Sequence, residues 1–263
     1  MKIGFFDSGL GGITVLKEAL KQNVSAEIIY LADNKNTPYG IKDKNQVKEY
    51  IYDNIMYLVD LGCDIIVIAC NTATALCIKD LRKKFSNVCF IGTEPAVKIA
   101  ADDINSKRIL VTATTITLKE EKLKNLITNL HIADKVDLLA LDRLVTFAES
   151  SSSKKEVEEY LKEKFIKYDF TKYSHIVLGC THFPLFRDVF EKVLPKIKVI
   201  DGSKGVINNL KTKIDNLKLN NSTLSITLAL TKKDDNFVNN FEILLKKDID
   251  NIIYVYKRNC KIN

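Results

Sequence analysis

Two short segments of this chain read almost as copies of one another. Asp64-Ile65-Ile66-Val67-Ile68-Ala69-Cys70-Asn71-Thr72-Ala73 lies in the first half, and His175-Ile176-Val177-Leu178-Gly179-Cys180-Thr181-His182-Phe183-Pro184 in the second. Each is an apolar run of strand length that ends in a small residue, a cysteine, and Asn or Thr, before a helical pattern begins. A buried strand running into a helix is the unit of a parallel α/β sheet. Its occurrence once per half constrains the chain to two related α/β halves rather than one long sheet. It also sets each cysteine at the C-terminal end of a strand, where such sheets bind ligands and where a helix start favours a thiolate. Two thiols brought face to face there could remove a proton from one side of a carbon and deliver one to the other.

The rest of the chain fits that frame. Strand-length apolar runs are expected at Lys2–Phe6, Glu27–Leu31, Ile65–Ala69, Val88–Ile91, Ile109–Val111, Val136–Leu141, Ile176–Leu178, Val199–Ile200 and Leu224–Leu228. Helices are expected to begin near Gly12, Lys44, Thr72, Glu94, Thr117, Lys154, Phe183 and Gly202, with another over Asp235–Leu245. The serine run 150–153 reads as a loop ending in a helix cap before Lys154-Lys155-Glu156, not as a linker. A catalytic cleft between the two halves follows, because ligand sites favour domain interfaces.

Composition narrows the function classes. The 263 residues, 46% of them hydrophobic, can bury one large core or two modest ones. No run reaches membrane-helix length, and Met1–Phe6 heads into a strand without a signal-peptide pattern, so a cytoplasmic location is the expectation. The cysteines at 63, 70, 77, 89, 180 and 260 form no CxxC pair and have no histidine at zinc-ligand spacing, so neither a metal site nor a disulfide framework is expected. Cys63, Cys77 and Cys89 read as small core residues, and Cys260 as an incidental thiol near the terminus. The net charge of +7 is concentrated from Lys204 onward, where eleven basic residues face six acidic ones. Those charges are scattered rather than striped with aromatics, which argues for a solvated surface over a nucleic-acid footprint.

Several further residues stand at strand ends. Asp7-Ser8-Gly9-Leu10-Gly11-Gly12 follows the first strand, and its glycines permit close backbone approach while free amides could hold a carboxylate. It is not a dinucleotide fingerprint, since Thr14 stands where the third glycine would be. Pro38-Tyr39-Gly40 lies in the loop after the second strand. Asp7, His182 and Glu149 are candidate acid–base helpers for thiols that must be partly ionised to act as bases.

Asp7-Ser8-Gly9-x-Gly11-Gly12, Pro38-Tyr39-Gly40, Cys70-Asn71-Thr72-Ala73 and Gly179-Cys180-Thr181-His182, in that order, together resemble the glutamate racemase family of the cofactor-independent aspartate/glutamate racemase superfamily. The resemblance implies two pseudosymmetric α/β domains with mainly parallel sheets and the active site in the cleft between them. The first domain would comprise residues 1–95 with 207–263, and the second 96–206. It implies Cys180 as the base for L-glutamate and Cys70 as the base for D-glutamate, Asp7 assisting Cys70, and His182 and Glu149 assisting Cys180. Substrate contacts would fall on Asp7, Ser8, Tyr39, Gly40, Asn71, Thr72, Thr114, Thr117, Thr181 and His182. No cofactor, no metal and no membrane partner are implied, room is left for a homodimer, and the cellular role would be D-glutamate supply for peptidoglycan synthesis.

The chain also departs from the family pattern. Asp33-Asn34-Lys35-Asn36-Thr37 precedes Pro38 where many members carry Asp-Thr-Ala-Arg-Val, Ala148-Glu149-Ser150 replaces Glu-Glu-Gly, and Glu120 stands where serine is common. Three rivals stay open. An aspartate racemase commonly carries Gly-Cys-Thr-Glu at the second cysteine, where this chain has His182. A binding protein would keep the cleft without needing both thiols. A cysteine hydrolase would need one essential nucleophile.

Overall fold

The computed structural model describes residues 1–103, 107–219, 223–245 and 252–256. Among the described residues there are ten strands: β1 (Lys2–Asp7), β2 (Glu27–Ala32), β3 (Ile65–Ile68), β4 (Cys89–Gly92), β5 (Arg108–Ala113), β6 (Val136–Ala140), β7 (Tyr173–Leu178), β8 (Lys198–Asp201), β9 (Ser225–Leu230) and β10 (Ile252–Tyr256). They form two sheets, ordered β10-β9-β2-β1-β3-β4 and β6-β5-β7-β8, and every pairing is parallel. The segment β2-β1-β3-β4 recurs in the second sheet as β6-β5-β7-β8, so the two cysteine-bearing strands β3 and β7 occupy equivalent places. The chain is α/β, with two parallel sheets as the paired segments require.

Alternation along each strand sends side chains to two cores. Ile3 and Phe5 of β1 and Ile28 and Tyr30 of β2 face helices 13–21, 203–216 and 235–245, which contribute Leu16, Ile207, Leu210, Phe237 and Phe241. Phe6, Ile29 and Leu31 face the other way, against helices 44–60 and 71–84. The second sheet is covered likewise: Leu110, Ile176 and Leu178 pack under helices 154–165 and 187–193, and Ile109, Val111 and Val177 under helices 97–102 and 121–129. Cys63 and Cys77 are buried and Cys89 is partly so, as small core residues, whereas Cys260 lies outside the described residues. Among the described residues no helix is long and apolar enough to cross a membrane.

The elements depart from the sequence expectation at a few points. The helix expected from Glu94 starts at Val97, because a residue before proline resists helical geometry and Pro95 follows Glu94. The stretch expected to be helical from Thr117 is two helices, 115–119 and 121–129, separated at Glu120, with Thr114 capping the first through Thr117 N. The Phe183 helix opens as a 3₁₀ turn over 183–186 and becomes α-helical only at Arg187. Helix 143–149 and strand β10 were not anticipated. Ser153 caps helix 154–165 as expected, in a capping box with Glu156.

The late segment of the chain therefore closes the first core. Phe241 is fully buried, its ring 5.1 Å from that of Tyr30. Phe241→Ala should cost roughly 3–5 kcal/mol of stability, measured as a lower urea midpoint with an unchanged slope. A midpoint like that of the parent chain would mean helix 235–245 is an appendage.

Candidate active site

In an open parallel sheet, a ligand crevice forms where the chain winds off in opposite directions from neighbouring strands. Both sheets have this point at the same place, between β1 and β3 in the first and between β5 and β7 in the second. The residues just past those four strand ends are Asp7 and Ser8, Cys70 and Asn71, Thr114, and Cys180 to His182. A small closed cavity joins them. It is lined by Ser8, Cys70, Asn71 and Thr72 from the first sheet and Thr114, Cys180, Thr181 and His182 from the second, with Tyr39, Gly40 and Val145 completing the wall. Its volume, about 10 Å³ for the centre of a water molecule, is room for about one water. A larger cleft, about 1410 Å³, lies elsewhere, between helix 13–21 and residues 199–204, and no cysteine lines it.

Each thiol has its own setting. Cys70 caps helix 71–84, its Sγ accepting from Ala73 N at 3.5 Å and donating to Ser8 Oγ at 3.7 Å. Cys180 Sγ lies 3.8 Å from His182 Nδ1, and the opposite ring nitrogen of His182 lies 2.6 Å from Glu149 Oε1. The same Glu149 oxygen accepts from Leu10 N at 2.8 Å, across the cleft. Asp7 crosses in the other direction: Oδ1 accepts from Gly9 N at 2.9 Å and Oδ2 from the Thr181 hydroxyl at 3.0 Å. Thus Asp7 and Glu149 stand behind the cavity wall rather than in it.

The glycines of the Asp7–Gly12 turn make this crossing sterically feasible. A Cβ on Gly9 would sit 1.9 Å from Glu149 Oε1, and one on Gly11 would sit 2.5 Å from both His182 Nδ1 and Thr181 Oγ1. The expectation that this turn's free amides hold a ligand carboxylate is corrected at two positions. The Gly9 and Leu10 amides are occupied by the chain's own Asp7 and Glu149.

Burial dominates the electrostatics. It raises the Asp7 carboxyl from its ordinary 3.8 to about 6, against the lowering influence of His182, the Gly9 amide and the Thr181 hydroxyl. It also pushes the Cys70 thiol up to about 12, with Asp7's charge adding to the effect and the Ala73 amide only partly offsetting it. The helix start therefore does not by itself produce a thiolate at Cys70, contrary to the sequence expectation. For His182, burial favours the neutral ring, but the Cys180 sulfur and the Glu149 carboxylate outweigh it and hold the imidazole well above its ordinary value.

Three hydroxyls form a separate polar corner. Thr72 and Thr114 are 3.0 Å apart, Thr114 and Thr117 3.0 Å, and Thr72 and Thr117 3.4 Å, all buried. Thr117 does not line the cavity but backs the two that do. Tyr39 is held from behind by Asp33, which accepts from its hydroxyl at 2.5 Å and from Thr231 at 2.8 Å. Asp33, Val145 and Tyr30 were not singled out in the sequence. Val145 was legible, four residues before Glu149 and so on the same helical face.

The model of the Asp/Glu/hydantoin racemase family matches residues 13–209. The glutamate racemase of Halothermothrix orenii is 46% identical over 213 residues, covering 80% of this chain and 84% of its own. That of Campylobacter curvus is 47% identical, covering 83% and 85%. A glutamate racemase of Francisella tularensis, solved in complex with D-glutamate, superposes with a TM-score of 0.83 at 25% identity, covering 97% of each chain. With the paired sheets and the twin strand-end cysteines already in place, these matches mean that the chain belongs to the Asp/Glu/hydantoin racemase family and is an isomerase.

Proposed function

We propose that the chain interconverts L- and D-glutamate by a two-base mechanism that needs no cofactor. Cys180 takes the α-proton of the L-enantiomer, and Cys70 takes that of the D-enantiomer. The observation that carries this reading is that two thiols from equivalent strand ends of two sheets line one small cavity, with the Asp7 charge acting on Cys70 and the His182–Glu149 pair beside Cys180. The choice of glutamate rests on the relatives' shared activity and on His182 following Cys180. In the cell, that activity would supply D-glutamate for peptidoglycan synthesis in the cytoplasm. Two catalytic domains, residues 1–95 with 207–263 and residues 96–206, are supported by the division of strands between the sheets.

Racemisation of L-glutamate begins with Cys180 as thiolate and Cys70 as thiol. The Cys180 sulfur accepts the α-proton, and the Cys70 S–H delivers its proton to the opposite face of the carbanion, leaving Cys70 as thiolate. His182, braced by Glu149, takes up and returns the Cys180 proton, and Asp7 does the same for Cys70. The resting Cys70 thiol is hard to ionise, so a substrate ammonium entering the site supplies positive charge that it otherwise lacks. The hydroxyls of Thr72 and Thr114, backed by Thr117, suit the distal carboxylate, while Ser8, Asn71 and Thr181 offer donors to the charge that develops at the reacting end. Tyr39 and Gly40 close the site above the substrate. Glutamate is larger than this cavity, so on this reading the two halves part to admit it and settle around it for chemistry.

In D₂O, with pure L-glutamate and no added metal or cofactor, solvent deuterium should enter the product well before it enters recovered substrate. Cys70→Ser and Cys180→Ser should each abolish racemisation, because a hydroxyl is a far poorer base. Substantial racemisation by either variant refutes the two-base assignment, and turnover of aspartate at a comparable rate removes the glutamate assignment.

Asp7 generates a second test. Its carboxyl is raised from 3.8 to about 6. The folded chain thus keeps a proton that the unfolded chain has released, and stability falls as pH rises between those values. At neutral pH the cost approaches roughly 3 kcal/mol. Asp7→Asn should therefore be more stable than the parent at pH 7.5, with the advantage vanishing toward pH 3.8, while racemisation is lost. Equal denaturation midpoints at both pH values would show that Asp7 carries no such burden.

A further inference from the structure

Behind the Asp7–Gly12 turn, on the side away from the cavity, stands the phenol of Tyr30. It comes from β2, is fully buried, and donates to the Gly9 carbonyl at 2.7 Å. The Ile13 amide, at the start of helix 13–21, also faces its oxygen. The phenol thus ties the middle of the turn to the first residue of the helix that follows it. Gly12 shows how tightly it is seated, since a Cβ there would lie 2.6 Å from Asp7 Cβ and 2.7 Å from the Tyr30 hydroxyl. On its far side the ring rests on Phe241 of helix 235–245.

The turn that this phenol fixes is the one on which both carboxylate crossings depend. Gly9 N holds Asp7 Oδ1, and Leu10 N holds Glu149 Oε1. The Gly9 carbonyl and the Leu10 amide belong to one peptide plane, and the Gly9 amide hinges on the same Cα, so locking that carbonyl aims Leu10 N at Glu149 directly and restrains Gly9 N toward Asp7 through a single backbone torsion. We propose that Tyr30 is a positioning residue for the racemase site, its hydroxyl locking the Gly9 peptide so that the Asp7 and Glu149 carboxylates are both held in register with their thiols. This deepens the two-thiol reading and rests on it. Tyr30 touches neither the cavity nor a reacting atom and acts only through the turn. Its ring packs on Phe241 of the late helix, a core contact separate from the hydroxyl's bond to the turn.

Tyr30→Phe tests this, because it keeps the ring, its volume and the Phe241 contact while removing the one hydroxyl. The reference variant is Phe241→Leu, which loosens the same core but leaves the hydroxyl in place. Asp7 is read directly by following the ¹³C shifts of aspartate carboxyls with pH, in full-length protein without substrate. The groups facing Asp7 are His182, Glu149, Tyr30, Tyr39 and Cys70, and of these the Tyr30→Phe change alters only a phenol that stays neutral throughout. Once the Gly9–Leu10 peptide is free to turn, the restraint on the Gly9 amide across their shared Cα is lost as well, so the bond that favours the charged form of Asp7 weakens and its midpoint should rise above the parent's. The acid limb of kcat/KM should move up with it. kcat should fall about tenfold in both directions, the scale on which small misplacements of catalytic groups act. Phe241→Leu should lower thermal stability with the Asp7 midpoint unmoved. An Asp7 midpoint and kcat unchanged in Tyr30→Phe would overturn the proposal. So would equal losses in both variants with no shift at Asp7, since that is what a purely structural tyrosine gives. A parent protein inactive on glutamate would refute the functional reading instead, and the carboxyl titration would still decide whether Tyr30 positions the turn.

Discussion

Two carboxylates, Asp7 fully buried and Glu149 partly so, cross between the halves of this molecule in opposite directions. Asp7, at the end of β1, is bonded by Thr181 of the second half, and Glu149, from the second half, is bonded by Leu10 of the first. Neither crossing tolerates a side chain in its path, which explains the glycines at 9 and 11. Charge withdrawn from water is costly unless satisfied. Asp7 is satisfied by an amide and a hydroxyl, and Glu149 by an amide and an imidazole held toward its protonated form. The same hydrogen bonds that satisfy the acids draw the two sheets together over the cavity. Closure of the site and the charge state of its acids are therefore one physical problem.

On the two-thiol reading, the repeated strand order is what lets two similar thiols serve one carbon. β2-β1-β3-β4 and β6-β5-β7-β8 place β3 and β7 identically relative to their central strands, so Cys70 and Cys180 emerge at equivalent crevices. Their surroundings are not equivalent. Cys70 lies at a full helix start, with Ser8 and Ala73 as partners. Cys180 leads into a 3₁₀ turn, with an imidazole beside its sulfur. A reaction whose two faces differ only in handedness needs bases of matched position, not of identical chemistry, and the asymmetry leaves each free to use its own relay.

Much of this was legible in the sequence because it depends on local pattern. Apolar runs ending in small residue, Cys and Asn or Thr are strand-to-helix junctions wherever they occur, and all nine expected strands formed within a few residues of the reading. The missed strand β10 carries as plain a signal as the others, Ile252-Ile253-Tyr254-Val255-Tyr256, and was overlooked rather than hidden. Other features were not readable in principle. The role of Gly9 depends on Glu149, far along the chain, and that of Tyr30 on a carbonyl twenty-one residues earlier. The Cys70 thiol misled because its helix-start position is local, whereas the burial that outweighs it belongs to the assembled core. Position along a strand predicts where a group emerges; only packing decides its charge.

That packing also determines where the molecule can give. The contacts between the halves at the cavity are buried and directional, but those at the rim are ion pairs reaching into solvent, Lys44 with Glu120 at 2.5 Å and Lys122 with Glu94 at 2.8 Å. Exposed pairs of this kind contribute little net stability and exchange readily with water. Glu120 also stands at the break between helices 115–119 and 121–129, directly after the Thr114–Thr117 corner. A separation of the halves that began at the rim would thus loosen the hydroxyl corner while the Tyr30-braced turn kept the first-half acid in place. On the two-thiol reading, a site that opens from the threonine side exposes the pocket for the distal carboxylate before it disturbs the bases. On that reading, substrate would meet the threonine corner before the acids and thiols came into line around its α-carbon.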